Sequence, residues 1–104
     1  MDYTIIEVPD MNDSISRVVL ENVAYHIRFT FNMEGDYWKF GLYNTQGEPI
    51  SQGVKIVPNF PLNLFIGSEK MPLGVFAALT KLDRIGRNDF RDDKAKFVFC
   101  PAVQ

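Results

Sequence analysis

The chain has 104 residues, a formal net charge of −2 and 46% hydrophobic residues, values typical of an ordinary folded protein. This length predicts one domain over residues 1–104 and excludes a cleft between two large lobes. The single cysteine, Cys100, excludes an internal disulfide and fits a reducing cytoplasm. Because no apolar run approaches the roughly 20 residues of a membrane helix, and the first residues lack a basic signal-peptide start, we expect a soluble protein that is not exported.

The charge is distributed unevenly along the chain. Residues 1–52 carry three basic and eight acidic side chains, whereas residues 53–104 carry eight basic and five acidic ones. If these charges lie on opposite surfaces, they would attract copies or partners head to tail. If they intermingle on folding, no such attraction results, and both arrangements remain open.

Strand signals follow one another from the amino terminus. Residues 3–8 and 15–20 are short β-rich runs separated by a turn cluster. Residues 23–31 alternate apolar and polar side chains, which predicts a strand with one buried face. A five-residue turn then leads to residues 37–43, where Trp38, Phe40 and Leu42 share a face, so the two runs predict a hairpin.

The second half continues with short strands and one long loop. Pro49 and Gly53 predict that the strand at residues 49–57 is short or bulged. Residues 73–79 and 96–100 are two further strand signals. Residues 59–66 predict either a helical turn opened by Pro61 or an irregular apolar plug. Residues 81–96 lack periodicity and predict a loop.

About seven short strands without helical crossovers predict an all-β fold with at most one short helical turn. The two architectures that fit are a small antiparallel β-barrel and a two-sheet sandwich. We favour the barrel, because seven strands in so short a chain leave exposed edges unless the sheet closes or pairs with a neighbouring subunit.

The residues that most often carry catalysis lack suitable neighbours. His26, the single histidine, lies on the polar face of its strand in phase with Ala24 and Arg28, and neither orients an imidazole as a carboxylate does. Cys100 has no basic residue beside it and is expected to be a buried or edge-strand thiol. The acidic pairs lack calcium-loop spacing, and the glycines lack phosphate-binding patterns. We therefore expect no enzyme, no metal and no cofactor.

A nucleic-acid interface is the alternative function. Arg28, Tyr37, Lys39 and Tyr43 lie on adjacent strands of the predicted hairpin, where exposed aromatic rings could stack on the bases of a single strand. The acidic first half of the chain opposes phosphate binding. Nucleic acid is thus the less favoured partner.

The long loop is the candidate protein interface. Arg84, Arg87, Phe90 and Arg91 combine an aromatic ring with guanidinium groups, a composition enriched at protein interfaces. A solvated loop is the alternative interpretation. We expect these four residues to contact a partner protein.

The order of these signals resembles the baseplate plug family of contractile-tailed bacteriophages and prophages, over almost the full chain. The resemblance is carried by residues 3–9, 20–29, 38–43, 47, 49–50, 53–54, 62–64, 73–74 and 97–99. Two features depart from it: the turn at Glu21 and Asn22 lacks the expected glycine, and the loop at residues 81–96 is unusually charged.

The resemblance implies a structural component of a virion, located in the tail baseplate near the tail tube and central hub. It implies no catalytic activity and no cofactor. The partners it implies are other tail and baseplate proteins, with self-association as a further option and no membrane contact. Synthesis would take place in the cytoplasm of the bacterial host.

Overall fold

The computed structural model describes residues 3–60, 62 and 74–101, which form seven strands. All seven were predicted from the sequence, with boundaries that agree within two residues. Within these ranges no helix is long and apolar enough to cross a bilayer. The helical turn predicted at Pro61 lies outside the described residues. The strands are β1 (Thr4–Ile6), β2 (Asp13–Leu20), β3 (Val23–Asn32), β4 (Tyr37–Tyr43), β5 (Pro49–Lys55), β6 (Gly74–Thr80) and β7 (Ala95–Pro101).

The strands form two antiparallel sheets, one in the order β2-β3-β4-β5 and the other in the order β1-β7-β6. The all-β prediction is confirmed and the architecture is the two-sheet sandwich, so our preference for a barrel was wrong. The physical reason lies in the segment after β5. The Ile56 N–H donates to the Trp38 carbonyl, whereas the Asn59 N–H donates to the Ala78 carbonyl. This short crossover covers the edge of β6, and no closure of the sheets is needed to do so.

The hairpin between β2 and β3 turns through two residues in the left-handed region, with φ of 52° at Glu21 and 66° at Asn22. This is the turn geometry that matches the twist of paired strands, although it usually contains glycine. The register then continues without a break from Leu20 opposite Val23 to Asp13 opposite Thr30. A turn that lacks glycine therefore still sets a regular eight-residue ladder.

Aromatic side chains fill the space between the two sheets. Phe97 of β7 is buried, and its ring centroid lies 5.1 Å from that of Phe29 and 5.0 Å from that of Phe40, both on the opposite sheet. Phe76 lies on the neighbouring strand with its ring 5.8 Å from Phe97. These separations are within the range of favourable aromatic pairs. Phe97 thus joins the two sheets at the centre of the core.

We expect Phe97→Ala to lower the free energy of unfolding by about 3–5 kcal/mol, because it removes a buried ring that three others contact. Urea unfolding followed by the fluorescence of Trp38 measures the change. Phe60→Ala is the control, since that ring is 66% exposed, and should change stability by less than about 0.5 kcal/mol. A loss below about 1 kcal/mol at Phe97 would contradict a central role.

Candidate protein interface

The loop between β6 and β7, residues 81–94, lies against Trp38 of β4. The Trp38 indole N–H donates to the Gly86 carbonyl at 3.1 Å, and Ile85 is buried in the core. The Phe90 ring meets the indole edge to face, with centroids 5.8 Å apart. The predicted loop is therefore confirmed, and it is packed on the core instead of extending into solvent.

Asp89 gives the loop its compact shape. Its carboxylate accepts the Gly86 N–H at 2.6 Å, while its backbone carbonyl accepts the N–H groups of Lys94 and Ala95 at 2.8 and 3.2 Å. The stretch from residue 86 to residue 95 is thus folded around Asp89. Such local hydrogen bonds order a segment that has no strand or helix periodicity.

The structure brings the four predicted interface residues into this one loop but gives them different environments. Phe90 packs on Trp38, and Arg87 donates to the carboxylate of Asp10 at 2.8 Å while its guanidinium lies 5.5 Å from the indole centroid. Arg84 pairs with a carboxylate in the β3–β4 turn, and Arg91 pairs with the residue that follows it. The side chains of Arg84 and Arg91 remain 57% and 47% exposed. The exposed part of the candidate interface is therefore formed by these two arginines.

Two of these ion pairs connect the two halves of the sequence. Arg84 and Arg87 belong to the basic half, and their partners Asp36 and Asp10 belong to the acidic half. These four charges are neutralised within the molecule, as expected if opposite signs intermingle on folding. They do not contribute to a head-to-tail attraction between copies.

We expect Phe90→Ala to lower the free energy of unfolding by about 2 kcal/mol, because the ring is part of the packing around Trp38. Arg91→Ala should change it by less than about 0.5 kcal/mol, since its ion pair is exposed to solvent. Chemical denaturation of both variants measures the difference. Equal losses in the two variants would contradict this division between a packing residue and a surface residue.

The outer face of the four-stranded sheet forms a second surface. Lys39 lies between Thr30 and Lys55 in the register, and a groove of about 420 Å³ runs beside Lys39, Arg28 and Tyr43. Gly41 makes room for the Tyr43 ring, because a Cβ at that position would lie 3.3 Å from it. The four residues considered for nucleic-acid binding, Arg28, Tyr37, Lys39 and Tyr43, are all on this face.

The charge of Arg28 is already matched by a carboxylate. Its guanidinium donates two hydrogen bonds to Asp13, at 2.9 and 2.7 Å. These hydrogen bonds hold the pKa of the Asp13 carboxyl below its usual range. Lys55 lies 4.7 Å above the Tyr37 ring in a cation–π contact. Lys39 and Arg17 have no ion pair within the described ranges, so the cationic character of the face depends on Arg17 and the two lysines.

His26 and Cys100 lie on different sheets. His26 is half-buried on the outer face of β3, between Arg17 and Tyr43 in the register. Cys100 is half-buried on β7 opposite Val75. No group of three or more His, Cys, Asp or Glu side chains is placed to hold a metal ion in the part of the chain that the structure describes.

Sequence reasoning missed an exposed row on β2. Ile15, Arg17 and Val19 face solvent, whereas Ser14, buried, and Ser16, half-buried, face the opposite sheet. The alternation at residues 14–19 was the available signal. It could not show which face was buried, because both faces carry aliphatic side chains: Val18 and Leu20 lie on the inner face with the serines, whereas Ile15 and Val19 lie on the outer face.

The comparison with known families covers nearly the whole chain. A family model described as "Cyanophage baseplate Pam3 plug gp18" matches residues 1–101. No curated protein matches the chain. The matched range contains all seven strands and both surfaces described above.

Proposed function

The chain belongs to the cyanophage baseplate plug family, and from this membership we propose that it acts mechanically, through protein–protein contacts near the tail tube or hub. The family resemblance drawn from the sequence is confirmed, and the family supports a structural role in the baseplate of the virion tail. Synthesis in the host cytoplasm, assembly with other tail proteins and the absence of catalysis belong to this proposal.

The observation that carries the proposed mechanism is the ordered loop at residues 81–94. Its base is held by the Trp38–Gly86 hydrogen bond and by the packing of Phe90. The side chains of Arg84 and Arg91, each paired with a carboxylate but about half exposed, extend from this support. A preordered loop loses little conformational entropy on binding. Several such contacts around a tail axis strengthen one another, because the first contact raises the effective concentration of the next.

The test is incorporation into particles. We expect mass spectrometry of purified tails to detect the protein, and its absence from tails would contradict the baseplate role. Arg91→Glu should reduce its incorporation about tenfold, which corresponds to about 1.4 kcal/mol of contact energy. Lys96→Glu makes the same charge change at an exposed position outside the loop and serves as the control. Equal incorporation of both variants would exclude this loop as the contact.

The second candidate function is binding of single-stranded nucleic acid by the outer face of the four-stranded sheet. The specific observation is that Lys39, Lys55 and the rings of Tyr37 and Tyr43 lie on one face, with a groove between strands. Cations and aromatic rings arranged in this way can bind phosphates and stack on bases.

Fluorescence anisotropy with a labelled oligonucleotide measures this second function. We expect binding no tighter than the non-specific range, with a Kd above about 10⁻⁵ M at physiological salt, because Asp13 already neutralises Arg28. The nucleic-acid function would instead be established by tighter binding whose affinity falls steeply with salt. That affinity should also be lower in Lys39→Ala but unchanged in Lys96→Ala.

A further inference from the structure

The free edge of β2 is long and regular. Within the described ranges β2 pairs with β3 alone, and the Phe31 N–H donates to the Asn12 carbonyl at 2.8 Å. Because antiparallel partners alternate between hydrogen-bonded and non-hydrogen-bonded pairs, even-numbered residues of β2 face β3. The N–H and C=O groups of Ile15, Arg17 and Val19 therefore point away from the sheet.

The other sheet edges carry features that prevent strand addition. β5 contains Pro49, a positive φ of 65° at Gly53 and two register shifts. The edge of β6 accepts hydrogen bonds from Asn59 and Leu62. β1 is three residues long. β2 has eight residues in continuous register without proline or glycine, which are the properties of an edge that can add a strand.

The outward side chains of this edge are apolar and charged in turn. Ile15 is 65% exposed and Val19 is 53% exposed, with Arg17 between them. On the inner side, the hydroxyl of Ser14 is buried and has no hydrogen-bond partner among the described residues. A groove of about 440 Å³ separates the edges of β1 and β2, which leaves room beside the strand.

We propose that this edge binds a second copy of the same chain, with two β2 strands antiparallel about a two-fold axis at Ile15. In this register Ile15 faces its own copy, and Asp13 faces Arg17 of the second copy on both sides of the axis. Asp13 already accepts two hydrogen bonds from Arg28, but its side chain is 54% exposed and can accept a further one from Arg17. The two edges thus supply each other with an apolar contact and opposite charges.

Charge complementarity favours a second copy of the chain as the partner of this edge, and it also sets the register. A shift of the axis to Arg17 would place the two Arg17 side chains opposite each other, and like charges in that position are destabilising. A strand from another protein would need a carboxylate two residues from an apolar residue, which β2 itself provides in Asp13 and Ile15. This inference goes beyond the baseplate role and is tested on the purified chain alone.

Sedimentation equilibrium of the purified chain measures the association. We expect a reversible dimer, with a mass twice the 11.9 kDa of one chain. Arg17→Glu should raise the dimer Kd at least tenfold, because it replaces two attractions with two repulsions. Lys39→Glu is the matched control, since it makes the same charge change on the same face but two strands away from the edge. The dimer Kd of this variant should stay within twofold of that of the unsubstituted chain. Equal effects of the two variants would overturn the proposed edge.

Cysteine cross-linking tests the register. In a Cys100→Ser background, Ile15→Cys should form an intermolecular disulfide under mild oxidation, because position 15 faces itself across the axis. Val19→Cys is equally placed on the row but does not face its own copy, so it should form little disulfide-linked dimer. Cross-linking at position 19 instead of 15 would overturn the register.

Two further outcomes would overturn the proposal. One is a chain that stays monomeric at millimolar concentration. The other is a chain that does not dimerise and whose β2 edge binds a strand of a different protein. Loss of that binding in Arg17→Glu would show that the edge is the site. Circular dichroism of each variant before the measurement separates a lost contact from a lost fold.

Discussion

The contact on which the rest of the structure depends is the aromatic packing around Phe97. Seven strands of modest length bury two apolar faces against each other, and Phe97 meets Phe29 and Phe40 across the interface at about 5 Å. The outward surfaces of both sheets are positioned by this contact. An aromatic core also suits a small chain, because each ring buries a large apolar area while fixing few torsions.

The same core supports the surface proposed to make contacts. Trp38 is part of the same hydrophobic core, and the loop at residues 81–94 is held on it by the hydrogen bond to Gly86 and by Phe90. A change in the core would therefore alter the position of Arg84 and Arg91. The stability of the core and the position of these two proposed contact residues are thus coupled through Trp38.

The two edges of the four-stranded sheet differ in a way that matters for function. β5 is bulged and contains proline and glycine, whereas β2 is regular and open. A small β protein that protects one edge and leaves the other accessible gains a directed mode of association. The loop adjoins the turn before β2, where Arg87 pairs with Asp10.

The strands were readable from the sequence, because a side-chain period of two is a local property that needs no knowledge of distant residues. Residues 37–43 are an example. Their partners could not be read in this way, since Trp38 binds Gly86 across 48 positions and Arg87 binds Asp10 across 77.

Sequence alone determined that this chain is an all-β protein with about seven strands, a charged loop and a resemblance to baseplate plugs. Only the tertiary structure decided that the sheets form a sandwich, that Phe90 packs inward and that Ile15 and Val19 face solvent. The physical reason is that alternation shows that a strand has two faces, while burial of one face depends on which distant side chains meet it. For β2, the side with Ser14 and Leu20 is buried, and the side with Ile15 and Val19 is left exposed.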